Sequence, residues 1–534
     1  MRNIALIGLP GTGKSSVGRR LAEILGWPFL DTDELIESRY EASIHDLFRS
    51  RGESAFRDIE ATLLAKLTRS GRGVLATGGG VVVRESNLAR LRQWGWVIAL
   101  VARPEVLAQR LGSADHLPLV ASDNPASSLA RLWAERAPKY LSADLVLETS
   151  TLDVDDIVRR ILGFLAEREE LEISVSTAST KYPVRIGVGN LGLIGYHTLF
   201  TGCTGLAALV TTPSLDRRFG DSVRESLRAA GLKPTTFLLP SGELAKAWST
   251  VGRLYGRLLQ EGVDPSCAVL AFGPEELGDA AGFVAATYMR GIPLLRLPTG
   301  LLAQLDSCIG GKVALNHPRA KNLIGTLHHP RLVLVDVSLA SYPGLRALRA
   351  GLAEAVKYAV IADPTLLEFL EASLNALLQA DPTALRELIA RCLAIKARIV
   401  SADEHGEGPR LALNYGHTFA HALETATAYR RFPHGEAVAI GMTLEARLGC
   451  VLGITDPQVL ERQTDLLRRI GLPTHFSGVA PAKLLDALLQ DKKRRNGRLR
   501  FALPTRPGSF QLLDDVPPRV LQQLLNPDSP PPAP

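Results

Sequence analysis

The sequence predicts an α/β protein in three parts: a parallel-sheet domain opened by a phosphate-cradling loop, a second α/β stretch, and a stretch that is almost all helical. Three observations predict it. The chain has 534 residues, and one hydrophobic core rarely grows past about 300, so two or three domains are required. Short apolar runs alternate with amphipathic segments, the mark of parallel βα units. That alternation breaks and restarts near residue 173, and from about Leu345 onward the apolar spacing is helical.

Composition narrows the function. Hydrophobic residues make up 46% and charged residues 22%, which excludes a wholly disordered chain. Aromatics are only 6%, so Leu, Val, Ile and Ala must build the cores. A net charge of +6, from 61 basic and 55 acidic residues, is too mild to argue for nucleic acid and suits the gathering of small anions. The five cysteines are scattered and form no CxxC, so neither a disulfide framework nor a cysteine zinc knuckle is expected, and a reduced, cytoplasmic setting is. The chain enters a strand at once, without a secretory h-region, and holds no 18-residue uncharged apolar run, so neither a signal peptide nor a membrane span is expected.

The elements follow in order. Residues 3–8 are an apolar strand ending at glycine, and a helix follows from Lys14. Strands recur at 28–30, 73–77 and 96–101, and a helix closes the domain near Arg168. The charge cluster at 167–172 marks a boundary or the solvated end of that helix. The first domain is therefore 1–168. From Ile173 come two strand-like pieces, then βα alternation through 206–210, 267–271 and 332–336, giving a second part of 173–340. Helices such as 383–403 and 416–427 fill a third part, 341–525. The proline-rich 526–534 is expected to be a disordered tail.

The loop GLPGTGKS at 8–15 fits GxxxxGK[ST] directly after a strand and opening a helix. Its glycines let backbone N–H groups face a polyphosphate, at a helix N-terminus that favours anions. Lys14 reaches the outer phosphates and Ser15 can ligate Mg²⁺. Asp31 and Asp33 end the next strand. One can organise the Mg²⁺ waters, and the other can accept a hydrogen bond from an acceptor hydroxyl. Arg57 and Arg136 could hold a carboxylate by bidentate pairing, and Gly78, Gly79 and Gly80 permit close approach to a small ligand.

On the loop 8–15, Asp31 and Asp33, Phe56-Arg57 with Glu60, Gly78 to Gly80, Arg110, and Arg136 with Tyr140, residues 1 to about 165 resemble shikimate kinase. The resemblance implies a P-loop NTPase-like parallel sheet and transfer of phosphate from ATP to the 3-hydroxyl of shikimate. It gives Gly11, Thr12, Gly13, Lys14, Ser15, Ser16 and Arg110 to ATP, Ser15 and Asp31 to Mg²⁺, and Asp33, Arg57, Gly79, Gly80 and Arg136 to shikimate. The family's lid reads Arg-Pro-Leu, whereas Leu117 stands here after His116. The lost guanidinium predicts a slower kinase.

In the third part His417 and His421 are spaced i, i+4, so a helix puts both on one face, where they could ligate one metal. His434 follows near a turn, and Glu354 lies in a helical stretch with Lys357 one turn on. Two histidines and a carboxylate with an open position suit a catalytic zinc. Lys312, Asn316, Lys321, Asn322, Lys396, Arg410, Asn414 and Lys492 surround them and suit a substrate bearing phosphate and carboxylate.

Residues from about 173 to 520 resemble 3-dehydroquinate synthase, on Ser241 to Glu243 with Lys246, Gly278-Asp279 with Arg290, 301–306 with Gly310 to Lys312, 321–325, 351–358, 413–421 and His434 to Glu436. The resemblance implies a nucleotide-binding α/β part followed by an all-helical metal-binding part. Its zinc (or cobalt) ligands would be Glu354, His417 and His434, with His421 moved to the substrate. It implies NAD⁺ held by Glu243, Lys246, Gly278, Asp279, Thr299, Asp306, Lys312 and Lys321. It implies a heptulosonate phosphate held by Arg290, Lys321, Asn322, Lys357, Lys396, Arg410, Asn414, His421 and Lys492, with Lys312, Lys357, Lys396, Asn414 and His421 in catalysis. It also implies a homodimer in which Arg290 reaches the partner's site. The family's glycine run before Gly278 is replaced by Pro274, Glu275 and Glu276, and Thr299-Gly300 replaces a pair of threonines. Weaker NAD⁺ binding, or a loop that bows outward, is expected. Two alternatives stand beside a bifunctional enzyme of aromatic precursor synthesis: a related sugar-phosphate cyclase in the larger part, or an impaired binding module in one half.

Overall fold

The structure is a computed structural model that describes residues 1–69, 71–112, 118–120, 124–317, 320–489, 499–514 and 516–526. The chain forms two compact units. The first holds Met1–Glu170 together with Asn190–Phe200 and Arg217–Lys233. The second holds Leu171–Gly189, Thr201–Asp216 and the described chain from Pro234 onward.

The first unit is built on β1 (Asn3–Ile7), β2 (Phe29–Asp31), β3 (Val74–Ala76), β4 (Gly95–Val101) and β5 (Leu145–Glu148), all parallel, in the order β2-β3-β1-β4-β5. Central β1 is fully buried from Ile4 to Ile7, as a parallel strand covered on both faces must be. Period-2 alternation sends Ile4 and Leu6 to one layer, against Val17, Leu21 and Ile161. It sends Ala5 and Ile7 to the other, against Leu64 and Leu129. The carboxyl end of β1 lies where the strand order reverses, so the loop after it opens into the crevice where open α/β sheets take their ligands.

The helix Val154–Glu169 ends inside the charge cluster at 167–172, where Glu167, Arg168 and Glu172 are exposed and Glu169 accepts a hydrogen bond from Trp96 Nε1 at 2.6 Å. Glu170 is buried, accepts from Asn190 Nδ2 at 2.6 Å and pairs with His197 Nε2 at 2.7 Å. Partners distant in sequence, invisible in the local text, draw Glu169 and Glu170 inward.

The second unit carries β6 (Leu171–Ser176), β7 (Lys181–Gly187), β8 (Leu206–Thr211), β9 (Lys233–Leu238), β10 (Ala268–Gly273), β11 (Leu294–Pro298), β12 (Lys312–His317), β13 (Ala320–Leu327) and β14 (Leu332–Asp336). Seven of these form one sheet in the order β6-β7-β14-β11-β10-β8-β9, and β12 pairs with β13 as a separate antiparallel hairpin. Because β9 lies outside β8 and β10 on its other side, a second switch point opens at the carboxyl ends of β8 and β10.

The helical part starts its helices with a repeated local signal. Asp363, Asp381 and Asp456 each cap a helix through a side-chain oxygen, and each is followed by proline at the first helical position. The helix Leu345–Ala362 is buried nearly all round and runs through the core, against the helices Pro382–Ala402 and His434–Val451. One expectation fails here. The stretch past Leu489 is not all helical, for β15 (Arg500–Pro504) and β16 (Phe510–Asp514) form an antiparallel hairpin. Most of β15 is buried, so it shows no alternation, and a five-residue apolar run cannot announce strand rather than helix. The β12–β13 hairpin was also hidden, because β13 is largely exposed and buries no alternate face.

Two candidate active sites

In the first unit the loop after β1 delivers Lys14 and Ser15 to the start of the helix Lys14–Leu25. Lys14 is buried and donates to the Leu9 carbonyl at 2.9 Å. Burial pushes its ammonium down to about 8, against the pull of Asp33 and Asp31. Thr12 donates to the same carbonyl at 2.8 Å, while the Ser16 side chain is exposed. Ser15 Oγ donates to Asp31 at 2.6 Å, and Asp31 also caps the helix Thr32–Tyr40 by accepting from Asp33 N at 3.0 Å. A hydroxyl and a carboxylate thus stand together beside the phosphate loop, a donor pair suited to Mg²⁺. Burial pushes Asp33 up to about 6, although Lys14 opposes it. Arg110 donates to the Thr149 carbonyl at 2.5 Å, and Thr149 reaches the Thr12 carbonyl at 3.5 Å, which ties Arg110 to the back of the loop.

The acceptor side is equally assembled. Arg57 is buried and bonds Glu60 at 3.1 Å and Glu53 at 3.2 Å. A Cβ on Gly80 would lie 2.1 Å from the Arg57 guanidinium, so only glycine admits that approach. Arg136 donates to the Gly79 carbonyl at 3.2 Å and Tyr140 Oη to the same oxygen at 2.5 Å. Arg57 Nε, Glu60 Oε1 and Arg136 Nε are buried without a hydrogen-bond partner, so polar capacity is left over for a ligand. Burial pushes Glu60 up to about 7 against the pull of Arg57. The lid residues His116 and Leu117 lie outside the described residues.

In the second unit Glu354, His417 and His434 come from three helices, Leu345–Ala362, His417–Ala426 and His434–Val451, and their ligand atoms lie within 4.8 Å of one another. His417 Nε2 and His434 Nε2 stand 3.5 Å and 3.8 Å from Glu354 Oε1. Glu354 is fully buried, and Oε1 accepts no hydrogen bond although two imidazoles face it. A divalent cation fits that donor set. His434 opens its helix rather than sitting in a turn. The His421 ring lies 5.7 Å from that of His417, yet His421 does not join the convergent trio, so the i, i+4 pair is not the metal pair: a neighbouring helix supplies the second imidazole.

The supports of this trio carried no sequence signal. His417 Nδ1 contacts the Tyr415 carbonyl at 3.1 Å. Buried Glu445 accepts from the N–H groups of Gly416 at 2.9 Å and Thr418 at 3.3 Å, anchoring the helix that carries His417. Burial would lower the His434 imidazole, but the hydrogen-bonded Glu424 carboxylate, with Glu275 and Glu354 near, raises it to about 9.

Basic residues ring the trio. Lys357 is buried in an ion pair with Glu354 and stands 3.9 Å from Asp306. Lys396 donates to Asp306 Oδ1 at 2.8 Å, and Tyr358 Oη to the same atom at 2.5 Å. Burial opposes it, yet Lys396 and Lys357 hold the Asp306 carboxyl well below the usual carboxylate range. Asp306, implied for the dinucleotide, therefore sits between two lysines implied for the substrate. Burial lowers Lys312, with Arg410 and Lys396 as cationic neighbours. Arg410 is buried and donates to the carbonyls of Glu404 at 2.5 Å and Gly310 at 2.9 Å. Asn414 ends the short helix Pro409–Asn414 just before His417.

The dinucleotide candidates gather near the switch point. Lys246 is buried, donates to Asp279 at 2.7 Å and bonds Asn322. Lys321 pairs with Glu243 at 2.5 Å and stands 4.0 Å from the Tyr429 ring, a partner the sequence did not suggest. Asp279 lies 3.8 Å from Arg296, and a Cβ on Gly278 would lie 2.0 Å from that guanidinium. Thr299 N donates to the Gly273 carbonyl at 3.0 Å. The altered loop does not bow outward: β10 ends at Gly273, Pro274 caps, and the helix Glu275–Thr287 begins at once. Burial, with Asp279 near, pushes the Glu275 carboxyl up to about 7. Arg290 is exposed in the turn Tyr288–Arg290. Lys492 lies outside the described residues, and among those residues no helix is long and apolar enough to cross a membrane.

Both parts of the chain resemble known proteins. The family described as "Shikimate kinase" matches residues 10–166, "3-dehydroquinate synthase N-terminal" matches 236–347, and "3-dehydroquinate synthase C-terminal" matches 351–494. A 3-dehydroquinate synthase of Pelobacter propionicus is 42% identical over 329 residues, covering 62% of this chain and 92% of the relative. One of Nostoc punctiforme is 40% identical, covering 66% and 98%. Among solved structures, a 2-epi-5-epi-valiolone synthase from Streptomyces hygroscopicus with NAD⁺ and Zn²⁺ bound is 27% identical, with a TM-score of 0.60 over 65% of this chain and 96% of that one. A 2-deoxy-scyllo-inosose synthase with carbaglucose-6-phosphate, NAD⁺ and Co²⁺ is 25% identical, with a TM-score of 0.61 over 66% and 99%. These cyclases share the fold at lower identity than the dehydroquinate synthases do, which disfavours the cyclase alternative. The chain belongs to the 3-dehydroquinate synthase family, and a shikimate kinase domain precedes that part on the same polypeptide.

Proposed function

We propose that the chain is a bifunctional shikimate-pathway enzyme. It phosphorylates the 3-hydroxyl of shikimate with ATP, and it converts 3-deoxy-D-arabino-heptulosonate 7-phosphate to 3-dehydroquinate with release of phosphate. The observation that carries the larger half is the meeting of Glu354 Oε1 with two imidazole Nε2 atoms, with Lys357 paired to the same carboxylate. Paired steady-state assays of both reactions on the full-length chain test the reading, and absence of either product overturns that half.

In the kinase, Asp33 accepts the hydrogen bond of the attacking hydroxyl, and Arg57 and Arg136 hold the shikimate carboxylate. The hydroxyl oxygen bonds the γ-phosphorus as the bond to the β-bridging oxygen breaks, and Lys14 steadies the charge on the outer phosphates. Asp33 works ionised and Lys14 works charged. So kcat/KM for ATP, which reports the free enzyme, is expected to rise with pH through about 6 and fall above about 8. A profile flat through pH 6 would remove Asp33 from that role.

In the synthase, Glu354, His417 and His434 would hold Zn²⁺ or Co²⁺, and Glu243, Lys246, Gly278, Asp279 and Thr299 would border NAD⁺. When bound, the ion supplies Lewis-acid polarisation of a substrate hydroxyl and NAD⁺ a hydride acceptor regenerated each turnover. Solved relatives carrying NAD⁺ with Zn²⁺ or Co²⁺ support both assignments. Lys357, Lys396, Lys312, Arg410, Lys321 and Asn322 offset the carboxylate and phosphate charge of the substrate, and Asn414 and His421 orient its hydroxyls. We extend the reading to a homodimer in which exposed Arg290 serves the partner's site, and to a cytoplasmic setting that supplies ATP and keeps the cysteines reduced.

Glu275 places a carboxylate near the expected diphosphate. At pH 8, above its value of about 7, Glu275→Gln is expected to lower KM for NAD⁺ about fivefold, roughly 1 kcal/mol of relieved repulsion. The gain should shrink at pH 6, where the native carboxyl is protonated. An unchanged KM at pH 8 would show that the acid does not burden the cofactor.

A further inference from the structure

Resting on the metal site proposed above, we infer that Glu424 positions His434 for the ion, fixing both its ring and the chain segment that delivers it. His417, His421 and Glu424 stand at i, i+4 and i+7 on the helix His417–Ala426, so one stripe carries a ligand, a substrate candidate and a buttress. Glu424 is 6% exposed. Its Oε1 lies 3.2 Å from His434 Nδ1, while His434 Nε2 looks toward Glu354 Oε1 at 3.8 Å.

A neutral imidazole carries one N–H. The carboxylate holds that hydrogen at Nδ1, which leaves the Nε2 lone pair for the ion. The main chain of the same residue acts too. The Glu424 carbonyl accepts from Tyr429 N at 2.7 Å and from Thr427 Oγ1 at 3.2 Å. The connection turns back there through Ala428 and Tyr429, both with left-handed φ, of 52° and 59°. One residue therefore grips the connection at its start and the histidine at its end. His417 differs, since its Nδ1 faces the neutral Tyr415 carbonyl. A carboxylate makes the stronger imidazole donor, so His434 is the ligand whose strength depends on a single replaceable side chain.

The test is zinc affinity of the full-length chain, read by competition with a chromogenic chelator, for wild type, Glu424→Gln and Glu424→Ala. Both variants are expected to raise the apparent Kd for zinc about 10- to 100-fold, Ala at least as much as Gln. Shikimate phosphorylation and the thermal midpoint of the metal-free chain should stay unchanged. In the metal-free Glu424→Ala chain, histidine ¹⁵N spectra should show one ring losing its Nδ1–H. A zinc Kd within twofold of wild type in Glu424→Gln would overturn the inference. So would a loss of affinity matched by a lower metal-free midpoint, which would mark a merely structural residue. If Glu424→Ala fails to fold, Glu424→Gln decides alone, because it keeps the volume and the main-chain bonds. Failure of the metal site itself would read differently: wild type would bind no zinc tightly.

Discussion

Lys14→Ala is expected to abolish ATP-dependent phosphorylation of shikimate and to leave phosphate release from the heptulosonate unchanged. The ammonium is buried at the mouth of the phosphate loop, where it donates to the Leu9 carbonyl at 2.9 Å. A polyphosphate offers a better partner and draws it forward. Burial makes the charge strong where it is needed, because little water competes. Removing one preorganised donor of this kind costs on the order of 10²–10³ in kcat, and the loss of a full positive charge places the effect at the upper end. Alanine leaves the Thr12 to Leu9 bond and the pairing of Ser15 with Asp31 in place, so the loop should keep its shape. The synthase residues belong to the other compact unit. Steady-state rates of both reactions on one preparation check the expectation, and a parallel fall of both would refute two independent sites.

His417→Ala should act as the mirror image. Structural zinc sites with four ligands bind with about 10–16 kcal/mol, or roughly 2.5–4 kcal/mol per donor, so losing one imidazole should raise the zinc Kd by about two to three decades. Dialysis against a chelator should then strip the variant while wild type keeps its ion. Synthase turnover should fall to background and kinase turnover should persist. His417 suits the experiment better than Glu354. Replacing Glu354 would take from Lys357, 1% exposed, its nearer carboxylate and leave only the more distant Asp306 at 3.9 Å, and a poorly compensated buried charge can unfold the helix that carries it. Zinc retained at wild-type affinity in His417→Ala would remove that residue from the metal.

The kinase half was the more legible part of the sequence because its chemistry is local. The phosphate loop is eight contiguous residues between a strand and a helix, and Asp31 and Asp33 stand two apart. The metal trio was less so. Spacing alone favoured His417 with His421, because periodicity sees one helix at a time, whereas the ion site needs three helices that only tertiary packing brings together. Resemblance to a family, not spacing, pointed to His434. Glu424, Glu445 and Tyr429 could not be read at all, since an acid or a tyrosine on a helix or loop looks the same in sequence whether it faces water or a ligand. At the 167–172 cluster the local text could not show that Trp96, Asn190 and His197 draw Glu169 and Glu170 inward. The hairpins failed for lack of pattern, one strand being buried on both faces and the other exposed along most of its length.

Four lysines of the larger site are already paired with carboxylates of the same protein. Lys246 leans on Asp279, Lys321 on Glu243, Lys396 on Asp306 and Lys357 on Glu354. A bystander such as sulfate must disrupt one of these couples to lodge, and it brings too few contacts to make the exchange worthwhile. Only a guest long enough to engage several couples at once, with hydroxyls for the ion and acid at both ends, recovers what it breaks. The same arithmetic works against the inorganic phosphate that the reaction sets free, so internal pairing sheds that product and leaves the cleft clear for another turnover.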